Sequence, residues 1–216
     1  MRLLIPVLAM PLMLACGDDC PTDGDDGVSF EGDDLKGCSL AGLVLDDVDF
    51  DGADLEGVDL NDLNLDNSSF RNADLRGANL SSVLFDNVDM SEADLNGARL
   101  VDANLDNTSM RDADLRNAEL TDVLLDGVDF SGSDLRGATL VDANIDDCNF
   151  ARARLEGVDF TDVLFDNVNL AGAQLEGAIF ADADLDNVQC DDGTTGADFS
   201  DADLDRASEG SCLPEL

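Results

Sequence analysis

From Phe30 to Leu185 every fifth residue is large and apolar, without exception. Two residues before each of them, from Val28 to Ala183, the chain almost always places Ala, Val, Leu, Ser, Thr or Cys. A period of five suits neither a lone amphipathic helix, with its period of 3.6, nor a flat strand, with its period of 2. The repeat must therefore close on itself, each five-residue unit forming one side of a coil. A second period appears at 20 residues. Asp46, Asp66, Asp86, Asp106, Asp126, Asp146, Asp166 and Asp186 each follow the large residue of every fourth unit, so four units make one turn of a square coil. Eight such coils stacked at about 4.8 Å predict a single rod of roughly 38 Å.

The units themselves read A-D-L-R-G (Ala73 to Gly77), A-N-L-S-S (Ala78 to Ser82) and A-D-L-N-G (Ala93 to Gly97). This resembles the pentapeptide-repeat family, whose motif is A(D/N)LXX, and the resemblance holds in register over about three quarters of the chain. It implies an all-β fold, a right-handed quadrilateral parallel β-helix with the Leu/Phe and Ala/Val positions inward and the other three outward. The residues agree. One large and one small side chain per unit suit a narrow core, in which Phe50, Phe70, Met90, Met110, Phe130 and Phe150 form an inward column. Gly37, Gly57, Gly77, Gly97, Gly137, Gly157 and Gly177, with Asn117 as the substitute, fall at one corner, and an Asn-rich column from Asp47 to Asn187 fills a second. Both read as turn positions with positive φ or Asn turn chemistry.

The first residues, MRLLIPVLAMPLMLAC, carry one positive charge at Arg2, an apolar run from Leu3 to Leu14, and Ala15 before Cys16. This resembles a bacterial lipoprotein signal, which implies a signal peptide over 1–15 and lipidation of Cys16. A cleaved secretory signal without lipid is the alternative. Either reading takes the protein out of the cytoplasm, to a bacterial cell envelope if lipid-anchored. Residues 16–27 are polar, glycine-rich and acidic and read as a tether. The repeat occupies 28–190. Residues 191–216 break phase at DDGTTG, resume for two units around Phe199 and Leu204, and read as a C-terminal cap over the last coil.

An exported chain can form disulfides. Cys20 and Cys38 bracket the entry to the repeat and Cys190 and Cys212 its exit, so these are the expected pairs, with Cys148 a buried free thiol. Cys38 and Cys148 lie more than five coils apart, about 25 Å, too far to bond. All of these cysteines could instead be small core residues.

With 50 acidic residues against 11 basic ones, the net charge is −39. Such a surface repels nucleic acid and anionic lipid and attracts cations and basic partners. The Asp46 to Asp186 column has a companion four residues earlier, Asp62, Asp102, Asp122, Asp142, Asp162 and Asp182, so both edges of one face are acidic. No outward position on that face is Lys or Arg, whereas Arg71, Arg76, Arg111, Arg116, Arg136 and Arg152 lie on the next two faces. The columns suit a row of Ca²⁺ sites, or a solvated face whose carboxylates cap turn amides. Along the middle of the same face Val44, Leu84, Leu124 and Leu164 point outward at every second coil. They read as a docking stripe for a partner or a second copy, or as ordinary strand-forming residues.

The chain has no His, Trp or Tyr, no Ser flanked by a base, no glycine-rich phosphate loop and no Cys/His metal cluster. The expectation is a non-enzymatic structural or interaction protein without a cofactor, held to a membrane by its N-terminal lipid. Its acidic face would meet cations or a basic protein partner, with homodimerisation through the apolar stripe and no direct nucleic-acid binding. The family resemblance supplies an alternative, since some members resemble B-form DNA and inhibit DNA gyrase. A Ca²⁺-binding surface protein is a second alternative.

Overall fold

The computed structural model describes residues 29–191 and 193–196. The expected signal and tether, with Cys16 and Cys20, lie outside the described residues, as do Phe199, Leu204 and Cys212 at the C-terminal end.

The backbone closes into a coil of 20 residues, and every coil lies parallel on the one before it. Parallel bridges join Ser29 to Asp49, Asp34 to Asp54, Ser39 to Asp59 and Asn64 to Leu84, and each of these four columns continues along the rod at intervals of 20. On the fourth face the bridges lengthen into strands: β1 (Leu124–Asp126), β2 (Asn144–Asp146), β3 (Leu164–Asp166) and β4 (Asp184–Asp186), paired in that order in one parallel sheet. The register sets Leu125 on Ile145, Ile145 on Phe165 and Phe165 on Leu185, so like positions stack on like.

A five-residue unit works because each of its N–H groups has a destination, as a buried backbone requires. In the unit centred on Leu75, Leu75 donates to Asp94 O of the next coil at 2.7 Å, Asp74 to Ala53 O of the previous coil at 2.9 Å, and Gly77 to Asn96 O at 3.0 Å. Ala78 closes the turn onto Leu75 O at 3.0 Å. That leaves the residue after the large one. Its N–H is taken by the side chain two places earlier, Asp74 Oδ1 accepting from Arg76 N at 3.2 Å. The same bond recurs from Ser91 to Asp89, Asn96 to Asp94, Ser131 to Asp129 and Thr161 to Asp159. The Asp or Asn of the motif is therefore a cap on its own turn.

The inward positions form one continuous core. The large residues are buried throughout, with Leu40, Phe50, Leu95, Phe130 and Phe150 at 0 % exposure. Asp33, which breaks the small-residue column, stays exposed in the first coil. Phe50 and Phe70 stack with ring centroids 4.7 Å apart, as do Phe130 and Phe150, and Phe160 and Phe180 lie 5.0 Å apart. Offset ring pairs of this kind add about 0.5–1.5 kcal/mol beyond the area they bury.

All four corners place the second residue after the large one at positive φ, including Asp47, Asn67, Asn117, Asp142 and Gly77. The column of Asp62, Asp102, Asp122, Asp142, Asp162 and Asp182 belongs to this set, with φ between 56° and 59°. Asp is one of the few residue types that tolerates the left-handed region. After Cys190 the chain gains one residue. Thr195 pairs with Gln174 at a spacing of 21, and Asp191 Oδ1 holds the extra turn by accepting from Gly172 N at 2.8 Å and Gly193 N at 2.9 Å.

Candidate interaction face

The basic side chains stand on the other faces and are engaged there. Lys36 bonds Asp54 at 2.6 Å and Glu56 at 3.3 Å, Arg76 bridges Asp74 and Glu56, Arg116 pairs with Asp114, and Arg154 joins Asp134 to Glu156. Arg99 reaches Glu119, and Arg71 and Arg111 approach Asp89 and Asp129. Among the described basic residues only Arg152 makes no ion pair. The 20-residue register produces the pairs that cross coils, such as Arg99 with Glu119 and Arg154 with Asp134, because it sets residue n+20 directly above residue n, whereas Arg116 reaches Asp114 within its own turn.

The fourth face is different. Val44, Leu84, Leu124 and Leu164 project from it at 56 %, 47 %, 49 % and 55 % exposure. The Asp46 to Asp186 column flanks this stripe on one side and the positive-φ Asp column on the other, with no Lys or Arg at any of these positions. Asp66, Asp86, Asp106, Asp126, Asp146, Asp166 and Asp186 enter no ion pair among the described residues. Carboxylate oxygens of Asp126, Asp146 and Asp147 come within 4.8 Å of one another. Burial raises the Asp146 carboxyl above its ordinary range, helped by the charges of Asp147, Asp166 and Asp126. A second acidic trio, Asp54, Glu56 and Asp74, is as close but already holds Lys36 and Arg76.

Part of the column has structural work. Asn64 Oδ1 caps Asp66 N at 2.9 Å and Asn104 Oδ1 caps Asp106 N at 3.0 Å. Leu84 cannot supply such a cap, and Asp86 N donates instead to Asp66 Oδ1 of the previous coil at 2.8 Å. The alternation on the outside is matched on the inside. Ser68, Thr108 and Cys148, each 40 residues from the next, donate to the carbonyl oxygens of Leu45, Phe85 and Leu125 at 3.0, 2.7 and 3.4 Å. The accepting residue always follows one of the exposed apolar residues Val44, Leu84 and Leu124. The rod on this face thus repeats in two-coil steps. Sequence reasoning saw the outer apolar residues recur at every second coil and missed their inner partners, although the small-residue column from Val48 to Val188 spells them out.

Cys38 and Cys190 are each disulfide-bonded, at the first and last coils among the described residues, and the expected partners Cys20 and Cys212 lie outside those residues. Cys148 is free and buried. Burial pushes its thiol up to about 12.

Family profiles agree with this geometry. The profile for pentapeptide repeats matches residues 26–62, 53–91 and 164–192, and that for a pentapeptide repeat region matches 82–150. The chain belongs to the pentapeptide-repeat family. Its coil is the right-handed parallel β-helix of that family. Among solved pentapeptide-repeat structures, HetL from the cyanobacterium Nostoc sp. strain PCC 7120, involved in regulation of heterocyst differentiation, is 27 % identical. The match covers 84 % of this chain and 89 % of HetL, with a TM-score of 0.41. Full-length QnrB1, a plasmid-mediated fluoroquinolone resistance protein, is 18 % identical over 80 % of this chain and 92 % of its own, with a TM-score of 0.42. A protein of the Arabidopsis thaliana thylakoid lumen is 30 % identical over 53 % of this chain and 69 % of its own, with a TM-score of 0.19. No curated protein matches the sequence significantly.

Proposed function

We propose that this pentapeptide-repeat protein is a non-enzymatic, exported interaction protein, tethered to a bacterial envelope membrane by lipid on Cys16, that presents its fourth face to a basic protein partner. The observation that carries the reading is the segregation of charge. Described Lys and Arg side chains, Arg152 apart, are ion-paired on other faces, while an apolar stripe between two Asp rows faces outward with no basic residue on it. Disulfide bonding at Cys38 and Cys190 supports an oxidising compartment. Intact mass and fractionation of the native protein, beside a Cys16→Ala variant, test the location. A membrane-bound chain that begins at a lipidated Cys16 and is released by the substitution is expected, and a cytosolic chain retaining residues 1–15 would overturn it.

An oligolysine peptide tests the face. Its affinity should fall with salt and fall further when Asp86, Asp126 and Asp166 become Asn. Neutralising Glu92, Asp112 and Glu176 on the other faces should do less. Equal losses from both sets would mean that net charge alone, and not this face, attracts the peptide.

The cluster of Asp126, Asp146 and Asp147 favours one second reading, a Ca²⁺ site on the same face. A rise in Tm that follows Ca²⁺ concentration and disappears in Asp146→Asn tests it. Inhibition of DNA gyrase by mimicry of B-form DNA is the alternative that the family supplies, and the stripe of exposed Leu, which interrupts the acidic surface at every second coil, weighs against it. A gyrase supercoiling assay with the purified rod decides it.

A further inference from the structure

We propose that the stripe of Val44, Leu84, Leu124 and Leu164 is a track for an extended basic segment in the polyproline II conformation, carrying an apolar side chain at every third position. This rests on the reading of the fourth face as the site of a basic partner and specifies that partner's backbone.

Spacing is the first argument. The four apolar residues stand two coils apart, about 9.6 Å at parallel-strand spacing. A polyproline II helix has three residues per turn and a rise of 3.1 Å, so each of its three edges repeats every ~9.3 Å, straight along the axis. From Val44 to Leu164 the two lattices diverge by only about 1 Å in total. Other backbones fit less well. An α-helix repeats an apolar row every seven residues, about 10.5 Å, and the row drifts about 20° around the helix with each repeat. A β-strand sends side chains three residues apart to opposite faces.

Hydrogen bonding is the second argument. Polyproline II makes no internal hydrogen bonds, so its carbonyls accept from whatever lies beside them. Between the apolar residues stand Asn64, Asn104 and Asn144. Asn64 and Asn104 use Oδ1 to cap Asp66 and Asp106, and their Nδ2 groups donate to no other described residue. Each step of the track therefore offers an apolar contact and then an amide donor.

Charge is the third. The Asp rows on either side suit Lys or Arg on the remaining edges of a three-fold helix. A second copy of the chain would instead bring acidic rows against acidic rows, which disfavours a homodimer through this face.

The test is titration of the full folded chain with a labelled peptide of four Lys-Leu-Pro repeats. Two controls accompany it: a permuted peptide of the same composition whose leucines are not three apart, and a Lys/Leu peptide with heptad-spaced leucines. The regular peptide should bind about tenfold more tightly than either control. That preference should vanish in the L84N/L124N/L164N variant. Should the triple variant fail to fold, L124N alone must reduce the preference. Equal binding of all three peptides, lost at high salt, would overturn this inference and leave the basic-partner reading standing. Tighter binding of the heptad peptide would overturn it in favour of a helical partner, and a dimer that blocks the regular peptide would overturn it in favour of a second copy. No binding by any of the three would overturn both readings.

Discussion

The hydroxyl of Thr108 donates to the carbonyl oxygen of Phe85 at 2.7 Å, tying the interior of one coil to a corner of the coil before it. Among the described residues that carbonyl accepts from no backbone N–H. Thr108 is 1 % exposed, so water cannot take over. Thr108→Val, nearly the same shape, leaves the acceptor without a partner and should cost about 1–3 kcal/mol, while Thr108→Ser should retain most of the stability. Chemical denaturation of the two variants checks this. A loss in Thr108→Ser with none in Thr108→Val would mean that the methyl group, and not the hydrogen bond, matters.

Corner strain gives a pair of opposite effects. Arg152 holds φ at 61° where its neighbours along the column, Gly132 and Gly172, are glycine. Arg152→Gly should stabilise the rod by about 1 kcal/mol, since a left-handed conformation costs an L-residue roughly that much. Gly132→Ala should do the reverse. Its φ is 75° and a Cβ there would meet Asp112 Oδ1 at 2.3 Å. Thermal melts of both variants should therefore shift in opposite directions.

Acid should first stabilise and then destabilise the rod. Hydrogen bonds from Arg76 and Arg116 hold the Asp74 and Asp114 carboxyls below their ordinary 3.8. Burial pushes Asp134 upward, but the Arg136 hydrogen bond and the charges of Arg136 and Arg154 bring it lower. Their stabilisation is present above the unfolded value of about 3.8 and is lost as pH falls through the lowered folded values. Asp146 has the opposite sign, because burial and three neighbouring carboxylates raise it. Its penalty is present above that raised value and is relieved as pH falls through it. Tm should rise from neutrality toward the region just above 3.8 and drop below it. Asp146→Asn should flatten the rise and leave the drop.

The cysteines should separate cleanly by reactivity. Cys148, 1 % exposed with its thiol pushed up to about 12, should resist alkylation until the chain unfolds. Peptide mapping of the oxidised protein should yield Cys20 joined to Cys38 and Cys190 joined to Cys212. Closing loops of this size is worth about 3 kcal/mol each, so reduction should lower Tm substantially. Any other pairing would mean that the two ends of the rod are held differently.

Much of this molecule can be read from the chain because its contacts are periodic. Once Phe50 and Phe70 are known to be one coil apart, the register of the whole rod follows, and so does the outward position of Leu84 or Asp86. The capping role of Asp74 on Arg76 N was hidden, since a carboxylate two residues from an amide is visible only when the turn between them is. The link from Thr108 to Phe85 was hidden for a similar reason. Its donor and acceptor are 23 residues apart and belong to different units, although the two-coil rhythm that encodes it is present in the letters.

The sequence by itself determined the period, the parallel stacking, the inward columns and the acidic edges of the fourth face, because a repeat that must close every 20 residues leaves one way to bury its large side chains. Tertiary structure alone decided which of the similar carboxylates are spent. Asp54, Glu56 and Asp74 lie as close together as Asp126, Asp146 and Asp147, yet only the first group receives Lys36 and Arg76. The difference depends on which side chains one coil delivers to the next across the stack, and charge interactions between neighbours depend on that distance far more than on composition.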